Sequence, residues 1–325
     1  MPLRQCETVM RNLANNVRIH YLRRWFSSSG SSLPNFIVRT TASADETRDI
    51  VGTRAAAWGR KPGALDYDIY YATDNSGFYV GELDGKPIGC MMAVKFSKNF
   101  AFLGNFMVDE PYRGQGFGST IFQTGIASLP QECNFVCDIH EEKIPLFETR
   151  YGYTLAWKAK RVSVIASSAF DSNSPSVKIF SANEIPLAKI LAYDTRFFNF
   201  DRHLFLEKWI SAPNCHSFAA IDSSGSVVGY SVVRSTLWKE NGWRISPLYA
   251  DNAEIAHSLY QAIFNKVASE DGPAQVTFDV PCIDKDNFAS LQLAHKLSAK
   301  IDEHIARQFR YQVPSNLPLS EIFVT

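Results

Sequence analysis

No apolar run in this 325-residue chain approaches the ~20 residues of a membrane span. A soluble protein with no membrane partner is therefore expected. Neither sign of charge dominates, with Lys+Arg and Asp+Glu at 33 each. That balance disfavours a nucleic-acid partner, which calls for a basic face. Cysteine is sparse and scattered, at positions 6, 90, 133, 137, 215 and 282. Only Cys133 and Cys137 lie close together, and on a strand their spacing puts both on one face. No Cys/His group has zinc spacing, so no metal is expected, and buried reduced thiols are the plain reading. Apolar residues make up 46% and aromatics 13% of the chain, enough for the cores of two ordinary domains.

The charge balance hides an asymmetry. Residues 1–33 hold five Arg (4, 11, 18, 23 and 24), no Lys and one acid, Glu7, which leaves 28 basic against 32 acidic residues in the remainder. Arg4, Arg11 and Arg18 recur every seven residues, while Val9, Leu13, Val17, Tyr21 and Trp25 recur every four. A helix with those periods has one basic and one apolar side. The Ser-rich run 27–32 follows. An Arg-rich, acid-poor, amphipathic leader of this kind predicts mitochondrial import, with a retained cytoplasmic protein as the alternative.

Beyond the leader, Val108-Asp-Glu-Pro-Tyr-Arg-Gly-Gln-Gly-Phe-Gly-Ser119 organises the chain. Three alternate glycines (114, 116 and 118) stand behind Arg113, where the apolar run Phe102 to Val108 should give way to a helix over Ser119 to Leu129. Glycine there lets backbone N–H groups converge on a ligand, and the helix start adds its own free N–H groups. The pattern predicts an anion cradle suited to a pyrophosphate. A dinucleotide-binding fold would require G-x-G-x-x-G after a βαβ unit. Here the spacing is G-x-G-x-G and a hairpin precedes it, signalled by Asp84-Gly85 between two apolar runs. The remaining alternative is a helix start that merely needs glycine.

The order expected over 34–160 is β-α-ββ-β-loop-α-β-α-β, a mixed α/β sheet flanked by helices. A polar stretch from Gly59 to Asp68, containing Lys61-Pro-Gly63, interrupts it. The segment 161–176 is expected to be a linker, 177–312 a second domain and 313–325 a tail. The second domain repeats the first: Phe218-Ala-Ala-Ile-Asp-Ser-Ser-Gly-Ser-Val-Val-Gly229 echoes Phe78-Tyr-Val-Gly-Glu-Leu-Asp-Gly-Lys-Pro-Ile-Gly89. At the corresponding loop it has lost Arg and every glycine, and Asp251 and Glu254 stand there instead. These acids suit a helix start but repel phosphate.

Arg113-Gly-Gln-Gly-Phe-Gly118 fits the R/Q-x-x-G-x-G/A signature of the GCN5-related N-acetyltransferases (GNAT), and Phe147-Glu-Thr-Arg-Tyr-Gly-Tyr153 looks like that family's later "YGF" element. The span 36–312 resembles a subset with a second, diverged domain. The resemblance implies two tandem acyl-CoA N-acyltransferase folds, of which the second is degenerate and no longer binds CoA. It implies that Arg113, Gly114, Gln115, Gly116, Phe117, Gly118 and Ser119 hold the CoA pyrophosphate. Phe106, Met107 and Val108 would pair their backbone with the pantetheine amides, in a slot opened by splaying from the strand Asn134 to Ile139. It also implies a small amine or amino-acid acceptor and acetyl-CoA as co-substrate, with a mitochondrial glycine N-acyltransferase type as an alternative.

An alkyl amine near pKa ~10.4 is only about 0.1% neutral at pH 7.5, a cost of ~4 kcal/mol that a general base must relieve. Asp138 and His140, ending the slot-lining strand, are the candidates, with Asp109 and Glu110 as second choices. The tyrosine that usually protonates the leaving thiolate is replaced by Glu148. Tyr151 and Tyr153 lie nearby in sequence, and a CoA-binding regulatory protein that has lost catalysis therefore stays open. Arg202, Arg244 and Asp279 are either substrate contacts or structural ion pairs.

Overall fold

The computed structural model describes residues 34–166, 177–198, 200–237, 242–282, 288–315 and 317–324. The expected leader and most of the expected linker lie outside the described residues. The first half runs β1 (Phe36–Thr40), a long helix α1 over residues 44–57 with a π turn at Arg48–Gly52, then α2 (Asp66–Thr73), β2 (Phe78–Leu83), β3 (Lys86–Ser97) and β4 (Phe100–Val108). It continues with α3 (Phe117–Ala127), β5 (Asn134–His140), α4 (Ile144–Tyr151) and β6 (Thr154–Ile165). The second half repeats this as β7 (Lys178–Ser181), α5 (Leu187–Phe198), α6 (His203–Ser211), β8 (Cys215–Ile221), β9 (Val227–Ser235), β10 (Gly242–Ala250), α7 (Ala253–Asp271), β11 (Gln275–Cys282), α8 (Phe288–Lys296) and β12 (Lys300–Phe309). A short strand, β13 (Ile322–Val324), ends the described chain.

Local chemistry accounts for the elements. Asp84 and Gly85 take φ of 52° and 78°, the two positive values a tight hairpin needs, and set the Leu83–Lys86 register. Gly89 and Gly229 occupy matching places: a Cβ on either would stand 2.8 Å from the Met107 carbonyl or 2.9 Å from the Tyr249 carbonyl. Only glycine allows the strands to approach so closely, and the repeat is visible here in atoms as well as letters.

Among the described residues, thirteen strands form one sheet ordered β1-β2-β3-β4-β5-β12-β6-β11-β10-β9-β8-β7, with β13 against β10. The halves have exchanged strands. β12 lies beside β5, with Arg307 opposite Asp138, while β6 lies beside β11, with Arg161 opposite Asp279. β6 therefore crosses the boundary expected at 160 and runs to Ile165, and Val162 and Val164 are buried in the core of the second half. Each Arg donates twice to the Asp opposite it, Arg307 at 2.7 and 2.7 Å and Arg161 at 2.7 and 2.9 Å. These reciprocal pairs tie each half to the strand it receives.

Both halves splay at the same point. β4 pairs with β5 only from Phe100 to Leu103, and β10 with β11 only from Gly242 to Arg244. In β4 a bulge between the Cys90–Met107 and Met92–Gly104 pairs carries Asn105 at φ 47°. The bulge releases the last residues of the strand from β5 and opens a slot. One face of the first half is covered by α3 and α4 over Leu103, Phe135, Cys137 and Ile139. α1 and α2 cover the other over Cys90, Met92 and Met107.

Candidate active site

The loop between β4 and α3 is braced from below. Arg54 of α1 gives two hydrogen bonds of 2.9 Å to Asp109 and one of 2.6 Å to the Pro87 carbonyl. Asp109, a second-choice base, is thus committed to holding the loop. Arg113 donates to the Val108 carbonyl at 2.9 Å and lies 5.0 Å from the centre of the Trp58 ring. Gly114 and Gly116 take φ of 75° and 89°, and no heavy atom lies within 4 Å of a Cβ built on either. Gln115 folds back onto the Pro111 carbonyl at 2.8 Å. No side chain caps α3, so the first-turn N–H groups, which have no partner inside a helix, face outward. A Cβ on Gly118 would stand 3.1 Å from Val108 and 3.2 Å from Phe106, and Phe117 sets its ring 4.7 Å from that of Phe36. Ser119 follows in the first turn, 3.4 Å from Gln123.

The slot is lined by rings on this face. Phe106, turned outward by the bulge and 40% exposed, meets Phe122 edge-on at 5.5 Å, and Tyr151 closes the row 5.2 Å from Phe122. Met107 and Val108 turn their side chains into the cores, leaving backbone at the slot edge. An uncapped helix start, an open glycine turn and an unpaired strand edge thus lie together beside a row of apolar rings, an arrangement with free backbone N–H groups of the kind that anions take at helix starts. Cys90 and Cys137 are ill-suited to nucleophilic chemistry, because burial pushes both thiols up, Cys90 to about 12.

On the opposite face, Asp138 and His140 part company. Asp138 accepts both hydrogen bonds from Arg307, so its carboxylate is engaged in the strand exchange. His140 stands at the end of β5 with Nε2 3.1 Å from Arg60 Nη2 and Nδ1 3.5 Å from Glu303. Arg60 and Glu303 did not emerge from sequence reasoning. The one local signal for Arg60 was the Gly59-Arg60 end of an apolar helix. Gly59 at φ 71° and the bonds Gly59 N to Ala56 O (2.8 Å) and Arg60 N to Ala55 O (2.8 Å) terminate α1 and turn Arg60 back over the sheet. The loop beyond is stitched to the second half by Ala64 N to Ser235 O, Leu237 N to Pro62 O and the Arg234–Asp66 pair, all at 2.8 or 2.9 Å. Glu110 sits in the exposed turn before the glycine loop, and Glu148 is exposed on α4. Tyr153 is buried under α4 with its hydroxyl unpartnered, and burial pushes its ionisation up.

The second copy is closed. Asn252 caps α7 by accepting from Glu254 N and Ile255 N at 3.0 Å each. Asp251 accepts from Tyr193 at 2.9 Å and Arg196 at 2.8 Å. Its slot holds β13, whose Ile322 and Val324 pair with Tyr249 and Leu248 of β10, all four side chains buried. Arg202 pairs with Asp194, and Arg244 with Asp279.

One braced glycine loop on a splayed sheet, and a second copy shut by its own chain, define a tandem acyl-CoA-type fold. Residues 44–153 match the model of the Acetyltransferase (GNAT) family and residues 190–310 that of an Acetyltransferase (GNAT) domain. The chain belongs to the GNAT superfamily and carries two of its domains in tandem. It is 22% identical to a holothin acyltransferase of Pseudoalteromonas sp. (strain SANK 73390), over 78% of this chain and 81% of that one. Its fold is similar to that of a putative acetyltransferase from Pyrococcus horikoshii, with TM-score 0.69, 16% identity and coverage of 92% and 97% of the two chains. A tandem GNAT protein from the clavulanic acid biosynthesis pathway aligns with TM-score 0.59 and 10% identity, over 85% of this chain and 98% of that one. Family and relative agree on acyl transfer as the class of chemistry, with acyl-CoA as the family's co-substrate. Among the described residues, no group of three or more His, Cys, Asp or Glu could hold a metal ion.

Proposed function

We propose that this protein is an acyl-CoA-dependent N-acyltransferase that uses the first copy, takes acetyl-CoA as donor and acts on a small amine or amino acid. The observation that carries the reading is the contrast between the copies: the first keeps an open glycine turn and a free strand edge, while the second has capped its helix and filled its slot. Arg113 through Ser119 would hold the pyrophosphate and Phe106 to Val108 the arm. Acyl-CoA supplies an activated acyl carbon, on which the amine nitrogen forms a C–N bond as the C–S bond breaks.

His140 is the general base in this scheme, and it accepts the acceptor's ammonium proton at Nε2. Glu303 beside Nδ1 supports the imidazolium that results. Asp138 is set aside for this role because Arg307 occupies both its oxygens. Release of free CoA with a panel of amines tests the scheme. His140→Ala should cut turnover by about 10²–10⁴ while CoA still raises Tm as in the wild type. A second reading, CoA binding without catalysis, is favoured by Glu148 standing where a tyrosine is expected. It gains if CoA stabilises the fold yet no amine releases thiol. We further propose that residues 1–33 direct mitochondrial import, and a fluorescent protein fused behind them and remaining cytosolic would reject that.

A further inference from the structure

A row of charged side chains crosses the central strands on the face opposite α3. It runs from His140 of β5 through Glu303 of β12, Arg161 of β6 and Asp279 of β11 to Arg244 of β10, and Arg60 leans over the His140 end. Its charge does not cancel. Arg161 spends three N–H groups on Asp279 and Glu303, and Arg244 gives one to Asp279. Among the described residues, Arg60 has only Glu303 at 3.5 Å, already bound by Arg161 at 2.6 Å, and Nε2 of His140 at 3.1 Å. Among the described residues of this row, three guanidinium groups thus face two carboxylates. Burial, and then the charge of Arg161, push the Arg60 guanidinium below its ordinary value. The row is closed at the Asp279 end, where the side chain is 4% exposed, and open at the other, where His140 is 40% and Arg60 29% exposed.

We propose that Arg60 is the docking residue for a carboxylate on the acceptor, and that docking frees His140 to act as base. This rests on the acyl-transfer reading above. In the free protein, the Arg60 guanidinium donates to the lone pair that a general base needs. A carboxylate is the better partner for Arg60, because a charge-assisted pair is stronger than a bond to a neutral ring. An acid-bearing amine therefore draws Arg60 away, exposes Nε2 and leaves Nδ1 against Glu303. The proton then passes from the ammonium to Nε2. Arg60 and His140 stand side by side in the free protein, 3.1 Å apart, and the arginine that swings aside stays tethered beside the histidine, so an acceptor that reaches both carries its carboxylate and amine a short way apart. An α- or β-amino acid meets that requirement, and a plain alkylamine or a long ω-amino acid does not.

The test compares alanine and β-alanine with alaninamide and ethylamine, in the wild type, Arg60→Gln and Arg60→Lys. Two readouts are used: CoA release, and calorimetric binding of each probe in the presence of free CoA. The expected result is a wild-type preference for the two acids of about 10- to 100-fold, lost in Arg60→Gln and partly kept in Arg60→Lys. Equal binding of acids and amides by the wild type overturns the proposal, as does an equal loss for all four probes in Arg60→Gln. If no probe releases CoA, the acyl-transfer reading fails, and the calorimetric comparison still decides whether Arg60 holds a carboxylate.

Discussion

Gly116 begins α3 at φ 89° with open space where a Cβ would stand. Gly116→Val should place that Cβ in the phosphate's approach and add backbone strain of about 1–3 kcal/mol, the Cβ itself having open space around it. The expected outcome is a folded protein with a modestly lower Tm whose Tm no longer rises with CoA. Unchanged CoA affinity would reject the role of the loop. Asp279 behaves differently. Burial opposes its ionisation, but the charges of Arg244 and Arg161 outweigh that and hold its carboxyl well below the usual range. A depressed carboxyl contributes stability above its unfolded value near ~3.9, and the contribution is lost as pH falls through the folded value. Asp279→Asn should therefore cost about 3–5 kcal/mol at pH 7, leaving Arg244 without its carboxylate and Arg161 with Glu303 alone. The gap from wild type should narrow below about pH 4 in denaturant titrations.

Among the elements, β13 is the least expected. Ile322, Phe323 and Val324 are all buried, although the sequence reads simply as a tail. Phe323→Ala should cost about 3–5 kcal/mol by cavity formation, measured by urea unfolding. A loss under 1 kcal/mol would mean that the strand merely rests on the surface. What could be read in advance was local. The Asp84-Gly85 hairpin, the Arg113 to Gly118 turn and the lost glycines at 251–254 each declare themselves within a few residues. What could not be read depends on distant pairing. Asp138 reads as a base at a strand end, and only its partner Arg307, 169 residues on, shows it to be a tie between strands. Arg60 likewise has no meaning until β5 and β12 bring His140 and Glu303 beneath it. The boundary expected at 160 failed to anticipate β6 for the same reason: alternation shows that a segment is a strand, not which neighbour it takes.

For the whole molecule, the exchange of β6 and β12 makes the halves mutually dependent. A chain cut once between residues 166 and 177 should stay assembled and elute as one species, because β6 remains inserted between β11 and β12. Dissociation of the two fragments without denaturant would contradict the exchange. Residues 34–166 expressed alone should not yield a CoA-binding protein, since β5 would be left as a bare edge beside the slot.

The exchange also orders events during synthesis. β5, the wall of the slot, receives its outer neighbour only when residues 300–309 have left the ribosome. At ~5–20 residues per second, the first half waits about ten seconds or more with an open edge after β5 has been made. The glycine loop is thus synthesised well before the sheet that carries it can close. A product stalled before β12 would carry every loop residue yet expose an unpaired strand, the kind of edge that chaperones and proteases recognise.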